Sequence, residues 1–223
     1  MKRQIKDAIY GHLATLTKAL SSPKRIEIID LLCQGEKTVE SISEQAVLGL
    51  KNASAQLKEL KAARLVESRK DGKYVYYRIA DPSVARFWIK LRTFGNDRIT
   101  EIQNITQEAL SGPEALEQMN RKTLLTKAKR GDVVLIDVRP SDEYEAGHLP
   151  FAISVPVSEI SKHLKAFSKK KEIVAYCRGP YCFFAKDAVD TLRKHGYKAY
   201  NLKDSVHDWS EHGLPIERTI RRA

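Results

Sequence analysis

The chain has 223 residues, more than one ordinary domain needs and enough for two. Hydrophobic residues make up 42% of it and charged residues 30%, and 39 lysines and arginines against 28 acidic residues leave a net charge of +11, which favours a polyanionic partner such as nucleic acid. No apolar run approaches the roughly 18 residues of a membrane span, and Lys6, Asp7 and His12 interrupt any signal-peptide core, so we expect a cytoplasmic protein.

The first eighty residues carry the pattern of short helices followed by a β-hairpin. Leucines at helical spacing predict a helix before residue 20, and Ser21-Ser22-Pro23 predicts the start of the next helix. Two further helices are predicted over about 38–45 and 51–63. Two β-rich runs then flank Asp71-Gly72, a dipeptide typical of tight hairpin turns. The pattern predicts a small, mainly helical domain with a projecting hairpin.

The predicted helix over 51–63 is the candidate element for reading DNA. Residues 51–78 hold eight lysines and arginines against three acidic residues, the densest basic stretch of the chain. Leu57 and Leu60 would face inward, and the outward face would carry Lys51, Asn52, Ser54, Gln56 and Lys58. Asparagine and glutamine can pair bidentately with adenine, and lysine can contact guanine or phosphate. The hairpin would be a wing that reaches DNA through Arg69, Lys70 and Lys73. The alternative is that this basic stretch is only a solvated face.

A long apolar helical pattern follows over residues 82–110. Its stripe includes Trp88, Phe94 and Ile105 and needs a partner surface, which predicts pairing with the same helix of a second chain. Ser111-Gly112-Pro113 breaks the pattern. We therefore predict a DNA-binding and dimerisation domain over residues 1–110 and a second domain over residues 113–223.

Residues 8–100 resemble the ArsR-type winged helix-turn-helix repressors. The resemblance rests on RIEIIDLLCQGEKTVESIS and on ASAQLKELKAARLVESRKDGKYVYYRIAD, whose hairpin block is the specific part. It implies a homodimer, held through residues 1–20 and 82–110, that binds a palindromic operator in double-stranded DNA. Metal-sensing members of that family carry clusters of cysteine and histidine, whereas this half of the sequence offers His12 and Cys33 alone. We therefore expect no metal site and no cofactor.

The pattern changes after residue 113. A helix over 121–129 leads to a continuous apolar strand at 133–138, and another helix is predicted over 183–194. Further strands are predicted at 153–157, 173–176 and 199–202. Apolar strands separated by helices predict an α/β domain with a parallel sheet that is buried on both faces.

The strand that ends at Tyr176 leads into the loop Cys177-Arg178-Gly179-Pro180-Tyr181-Cys182, ahead of a helix. Three cysteines cannot build a disulfide framework, so the chemistry expected of this loop is thiol chemistry. Loop N–H groups, the helix N-terminus and Arg178 would lower the pKa of Cys177 from about 8.5 into the range of roughly 3.5–7.5. Cys182 is either a small buried residue or a resolving thiol that forms a disulfide with Cys177.

Residues 116–218 resemble the rhodanese sulfurtransferase domain, through LIDVRPSDEYEAGHLPFAISVP, VAYCRGPYCFFAKDAVDTLRKHGYKAYNL and DWSEHGLPIE. The resemblance implies that Cys177 attacks a sulfane sulfur and becomes a persulfide, with Asp137, Arg139 and Glu143 in the supporting motif. The Cys-x5-Arg arrangement of phosphatase relatives is absent, because the sixth residue after Cys177 is Phe183. This disfavours chemistry on a tetrahedral oxyanion.

The sequence thus predicts a two-domain protein, a mainly α winged helix-turn-helix followed by an α/β rhodanese-like domain. The first hypothesis for its function is a DNA-binding regulator that senses reactive sulfur, or another thiol-reactive signal, through Cys177. The second is a sulfurtransferase enzyme that moves sulfur from thiosulfate or a persulfide to a thiol acceptor. The third is a thiol-dependent arsenate reductase, suggested by the repressor family and the cysteine pair.

Overall fold

A computed structural model describes residues 1–110 and 120–219. The chain divides into two compact units, Met1–Trp88 and Ile89–Ala223, whose border falls inside one helix. The predicted domain boundary at Ser111-Gly112-Pro113 lies outside the described residues.

The first unit is a winged helix-turn-helix, which confirms the predicted fold. Its helices are α1 (Lys2–Ala19), α2 (Pro23–Cys33), α3 (Val39–Gln45) and α4 (Leu50–Ala62), and its strands are β1 (Lys37–Thr38), β2 (Val66–Asp71) and β3 (Tyr74–Ile79). Pro23 stands at the first position of α2, where its missing N–H costs nothing. The strands form an antiparallel sheet in the order β1-β3-β2. Gly72, at a φ of 57°, makes the turn of the predicted hairpin, which is confirmed.

The core of this unit lies between α2 and α4. Ile28 of α2 and Ala53, Leu57 and Leu60 of α4 are fully buried. Burial of each large side chain contributes roughly 1.5–3 kcal/mol, so the inward face of α4 is determined by its leucines. The polar face of α4 is thereby turned outward.

The predicted long helix over 82–110 consists of two helices, α5 (Pro82–Arg98) and α6 (Thr100–Leu110). The break lies at Ile99, and the Ile102 side chain of α6 lies close to Gly95 in the last turns of α5. The amide of Gln103 donates to the backbone oxygen of Asn96 over 2.7 Å and so satisfies a carbonyl near the end of α5. Within residues 1–110 and 120–219, no helix is both long enough and apolar enough to cross a membrane.

The second unit contains the predicted parallel sheet, in the order β5-β4-β6-β7. The strands are β4 (Val133–Asp137), β5 (Ile153–Ser154), β6 (Glu172–Tyr176) and β7 (Ala199–Leu202). The helices are α7 (Arg121–Arg130), α8 (Ser141–Ala146), α9 (Ile160–His163), α10 (Phe184–Lys194) and α11 (Val206–Glu211). Strand β5 is shorter than predicted, since Pro156 precedes a 3₁₀ turn at Val157–Glu159.

Side chains of β6 alternate between the two faces of this sheet. Ile173, Ala175 and Cys177 pack into one apolar cluster with α10, and Val174 and Tyr176 pack into the other with α7 and α11. Both faces are therefore covered, as the continuous apolar strand predicted. The carboxyl ends of β4 and β6 lie side by side, with Asp137 opposite Tyr176. This register brings the loop after β6 next to the loop after β4.

Candidate functional site

The polar face of α4 lies where the sequence predicted it. Lys51, Asn52 and Lys58 are exposed, and Ser54 and Gln56 are half-buried. An open groove runs between α3 and α4, and its lining includes Leu50, Lys51, Ser54 and Lys58. The face therefore presents amide, hydroxyl and ammonium groups, the donors that read base edges and phosphates.

Gln56 and Asn52 are joined to each other and to a residue that sequence reasoning missed. The Gln56 amide donates to Asn52 Oδ1 over 3.0 Å, and Arg25 of α2 donates through Nη1 to Gln56 Oε1 over 3.2 Å. Arg25 also donates to the backbone oxygens of Lys18 and Ala19, at the end of α1. Arg25 thus links the three helices α1, α2 and α4. The sequence pattern of α2 predicts which apolar residues face inward, and it does not predict these contacts of Arg25.

The wing carries its predicted basic residues, and they differ in whether their charge is already paired with an acidic side chain. Arg69 is exposed, yet it forms a bidentate pair with Glu36 and a further bond with Asp71 Oδ2 at 2.9 Å. These hydrogen bonds, that of Glu36 first, raise the pKa of Arg69 above its usual range. Lys70 and Lys73 are exposed at the tip of the hairpin. The lysines are therefore better placed for phosphate than Arg69 is.

In the second unit, the two loop cysteines are in contact. Cys177 is buried, with 2% of the residue exposed, whereas Cys182 is half-buried. The Cys177 thiol donates to the carbonyl oxygen of Cys182 over 3.5 Å, and an electrostatic interaction also couples the two thiols. The loop closes through the Cys182 N–H, which donates to the Gly179 carbonyl over 3.1 Å. Gly179 has a φ of 123°, which a residue with a side chain rarely adopts.

The predicted lowering of the Cys177 pKa is wrong for this arrangement. Burial raises the pKa of Cys177 well above its ordinary value, and its hydrogen bond to Cys182 adds to this. The same hydrogen bond, together with loop N–H groups and the charge of Arg178, lowers the pKa of Cys182 to about 7. Of the two thiols, the more exposed Cys182 is therefore the one whose pKa is lowered.

Arg178 was expected to add its charge at the sulfur of Cys177; in the structure it is bound to a carboxylate. Its guanidinium binds the buried carboxylate of Glu143 in α8, with Nε to Oε2 at 3.0 Å and Nη2 to Oε1 at 2.6 Å. It also lies over the Phe184 ring, 5.0 Å from the centroid. This pair fastens the cysteine loop to the neighbouring element.

Asp137 and Arg139 form a second buried pair, at the end of β4. The Asp137 carboxylate accepts from the Arg139 backbone N–H at 3.0 Å and from its guanidinium, which also donates to the Gly147 carbonyl. Both side chains are almost fully buried. These contacts fix the shape of the turn after β4, and the Val138 N–H in that turn donates to the carbonyl of Tyr176, the residue before Cys177, over 3.1 Å.

Arg92 of α5 is the second residue that sequence reasoning missed. It lies in the same unit as the cysteine loop, and its side chain, 7% exposed, forms an ion pair with Asp208 of α11 at 2.5 Å. A methyl group added at Gly179 would lie 3.0 Å from Arg92 Nη1. The Asp208 carboxylate also accepts from the N–H and hydroxyl of Ser205. Arg92 therefore packs directly against the loop that carries both cysteines.

Fold and sites together define the class of the protein: a DNA-binding winged helix-turn-helix regulator that carries a rhodanese domain. The family "Bacterial regulatory protein, arsR family" matches residues 22–68, and the rhodanese-like domain family matches residues 120–212. The HTH-type transcriptional regulator Rv0324 of Mycobacterium tuberculosis is 39% identical over 212 residues, which cover 95% of this chain and 93% of that protein. The chain belongs to the ArsR family of bacterial transcriptional regulators.

Two further similarities each cover one part of the chain. A sulfurtransferase of Allochromatium vinosum is 33% identical over 86 residues, which cover 38% of this chain and 78% of that protein. The winged helix-turn-helix domain of Mb0332 from Mycobacterium bovis, a homodimer in solution, is 39% identical, with a TM-score of 0.41, and covers 42% of this chain and 87% of that structure.

Proposed function

We propose that this regulator senses reactive sulfur through the Cys177–Cys182 pair and that the state of the pair controls how tightly it binds its operator. The observation that carries the proposal is the contact of the buried Cys177 thiol with the backbone of half-buried Cys182, whose own thiol has its pKa lowered to about 7 by the neighbouring cysteine. A thiolate that forms near neutral pH, with a second thiol within reach, suits conversion of a sulfur signal into a disulfide.

The chemistry begins at Cys182, which reverses the order expected from the sequence. The Cys182 thiolate attacks a sulfur atom of a hydrogen polysulfide such as HSSH, so that a new S–S bond forms on the protein and hydrosulfide leaves with the electron pair. Cys177 then loses its proton and attacks Cys182 Sγ, which releases a second hydrosulfide and leaves a Cys177–Cys182 disulfide. Two thiols are oxidised, and the polysulfide is reduced to two molecules of hydrogen sulfide.

Helix α5 offers a route from the loop to the DNA-binding unit. Arg92 contacts Gly179 in the loop between the two cysteines, on the side of the second unit. One turn earlier on the same helix, the Trp88 indole N–H donates to Asp30 Oδ1 of α2 over 2.7 Å, within the first unit. Helix α2 packs on α4. A disulfide that reshapes the loop would therefore act on a helix that is anchored beside the recognition element.

A homodimer is the assembly that suits the exposed apolar side chains of this regulator. Ile5, Ile9 and Leu13, four residues apart on α1, are each 55% exposed, and Phe94 and Ile105 of α5 and α6 are 61% and 66% exposed. Pairing of two chains through residues 1–20 and 82–110 would bury these stripes. Each chain would then place α4 in the major groove and Lys70 and Lys73 at the phosphates, in the cytoplasm where the operator lies.

The test combines mass spectrometry and gel shifts on the same samples, in a Cys33→Ser background that leaves the pair as the thiols of the chain. Polysulfide should produce a disulfide-linked form and change operator affinity about 5–150-fold, the range of ordinary allosteric coupling. Cys177→Ser should stop at a Cys182 persulfide, and Cys182→Ser should react slowly. The proposal is refuted if polysulfide forms the disulfide and operator affinity stays the same.

A second candidate function is sulfur transfer to a thiol acceptor, which the match to the rhodanese-like family favours. Multiple turnover of thiosulfate with a thiol acceptor, lost in Cys182→Ser, would support it. A single round of oxidation to the Cys177–Cys182 disulfide, without turnover, would support the sensor. Arsenate reduction requires stabilisation of an oxyanion, for which the loop offers no arginine at the position of Phe183.

A further inference from the structure

The amide groups of Gln56 and Asn52 have a defined orientation because Arg25 carries donors only. A guanidinium has five N–H groups and no acceptor, so the atom of Gln56 that lies 3.2 Å from Arg25 Nη1 must be its oxygen. The Gln56 nitrogen then points to Asn52 and donates to Oδ1. The Asn52 oxygen therefore faces Gln56, and the Asn52 amide nitrogen remains on the exposed side.

This orientation changes what the pair can read in a major groove. Bidentate pairing with adenine requires one amide to offer its oxygen and its nitrogen side by side to the base. The Gln56 oxygen accepts from Arg25, and the Gln56 nitrogen donates to Asn52. The Asn52 oxygen is turned toward Gln56. What the pair presents outward is N–H. Guanine shows two adjacent acceptors, N7 and O6, in the major groove, whereas adenine shows one acceptor and one donor.

We propose that Arg25 is a specificity-determining residue, which locks Gln56 and Asn52 into a donor surface that selects guanine over adenine in the operator. This inference rests on the proposed docking of α4 in the major groove. Arg25 would then influence which base is bound although it does not contact the base itself. It also makes the selectivity depend on α1, because the same guanidinium is held by the backbone oxygens of Lys18 and Ala19.

The experiment is selection of bound duplexes from a random-sequence library by the reduced full-length protein. The position read by the pair is the one whose base preference is lost in Asn52→Ala. There the wild type should prefer guanine over adenine by at least about fivefold, the lower end for one good base contact. Gln56→Met removes the partner amide, frees Asn52 to pair with adenine, and should shift the preference toward adenine.

Arg25→Lys tests the lock itself. Lysine keeps the charge, and its single ammonium cannot hold Gln56 and two backbone oxygens in one plane as the guanidinium does. The preference at the Asn52 position should weaken while other positions of the motif stay unchanged. Lys58→Ala is the control, since loss of a phosphate contact weakens binding to all sequences equally. Matched thermal unfolding curves should show that each variant is folded.

The outcomes separate this inference from the proposed function. If the selection yields no motif, α4 does not read DNA, and both the donor lock and the proposed control of operator binding are refuted. If a motif appears with adenine at the Asn52 position, or with guanine that persists in both Arg25→Lys and Gln56→Met, the donor lock is refuted and the regulator assignment stands.

Discussion

Replacement of Arg92 by methionine should separate sulfur chemistry from DNA binding. The side chain is 7% exposed, and its partner Asp208 is 13% exposed, so the pair lies in a weakly solvated site. Removal of one partner from such a pair costs about 3–5 kcal/mol. Asp208 keeps the N–H and hydroxyl of Ser205, so we expect a loss near the lower end, about 3 kcal/mol in the second unit.

The main effect of Arg92→Met should be on the response of operator affinity to polysulfide, beyond the loss of stability. Without Arg92, a change in the loop at Gly179 no longer reaches α5, so the ratio of operator affinities before and after polysulfide treatment should fall from about 5–150-fold to near one. The Cys177–Cys182 disulfide should still form. Gel shifts and mass spectrometry on the same samples measure both quantities.

Arg121→Met is the matched control for this prediction. Arg121 of α7 forms an ion pair with Asp204 at 2.5 Å. Asp204 lies in the same unit as Asp208 and close to it in sequence. Helix α7 is not part of the proposed route through α5. This variant should lose stability in urea unfolding and keep its response to polysulfide. A full response in Arg92→Met, or an equal loss of response in Arg121→Met, would show that the coupling runs elsewhere.

Three further predictions concern the thiol loop and the wing. The rate of Cys182 alkylation by iodoacetamide should rise with pH through a midpoint near 7, because the thiolate is the reactive form, and Cys177→Ala should move the midpoint upward by removing the main cause of the lowered pKa. Glu143→Gln leaves Arg178 without its buried carboxylate partner and should cost about 3 kcal/mol or more in urea unfolding, whereas an unchanged midpoint would mean that the pair does not hold the loop. Lys73→Ala should reduce the slope of log affinity against log salt by about one, as for loss of one phosphate contact, and an unaltered slope would remove the wing from the interface.

The elements of the fold were predictable wherever the signal was local. The Asp71-Gly72 hairpin is set by a turn that glycine at positive φ permits, and the apolar run at 133–138 is set by burial on both faces of a sheet. The Cys177 loop was predictable because a strand, a glycine with unusual dihedral angles and a helix follow one another within a few residues. The outward face of α4 followed from the spacing of its leucines.

The tertiary structure alone decided which polar groups meet. Arg25 and Gln56 are 31 residues apart, and Arg92 and Asp208 are 116 residues apart, so no periodicity or turn signal connects them. The order of ionisation in the cysteine pair depends on how deeply each thiol is buried and on which one donates to the other. Residue type and spacing determine secondary structure and its apolar faces through interactions within a few residues, whereas pKa values and polar partners depend on desolvation and distance, which exist only once the chain has folded.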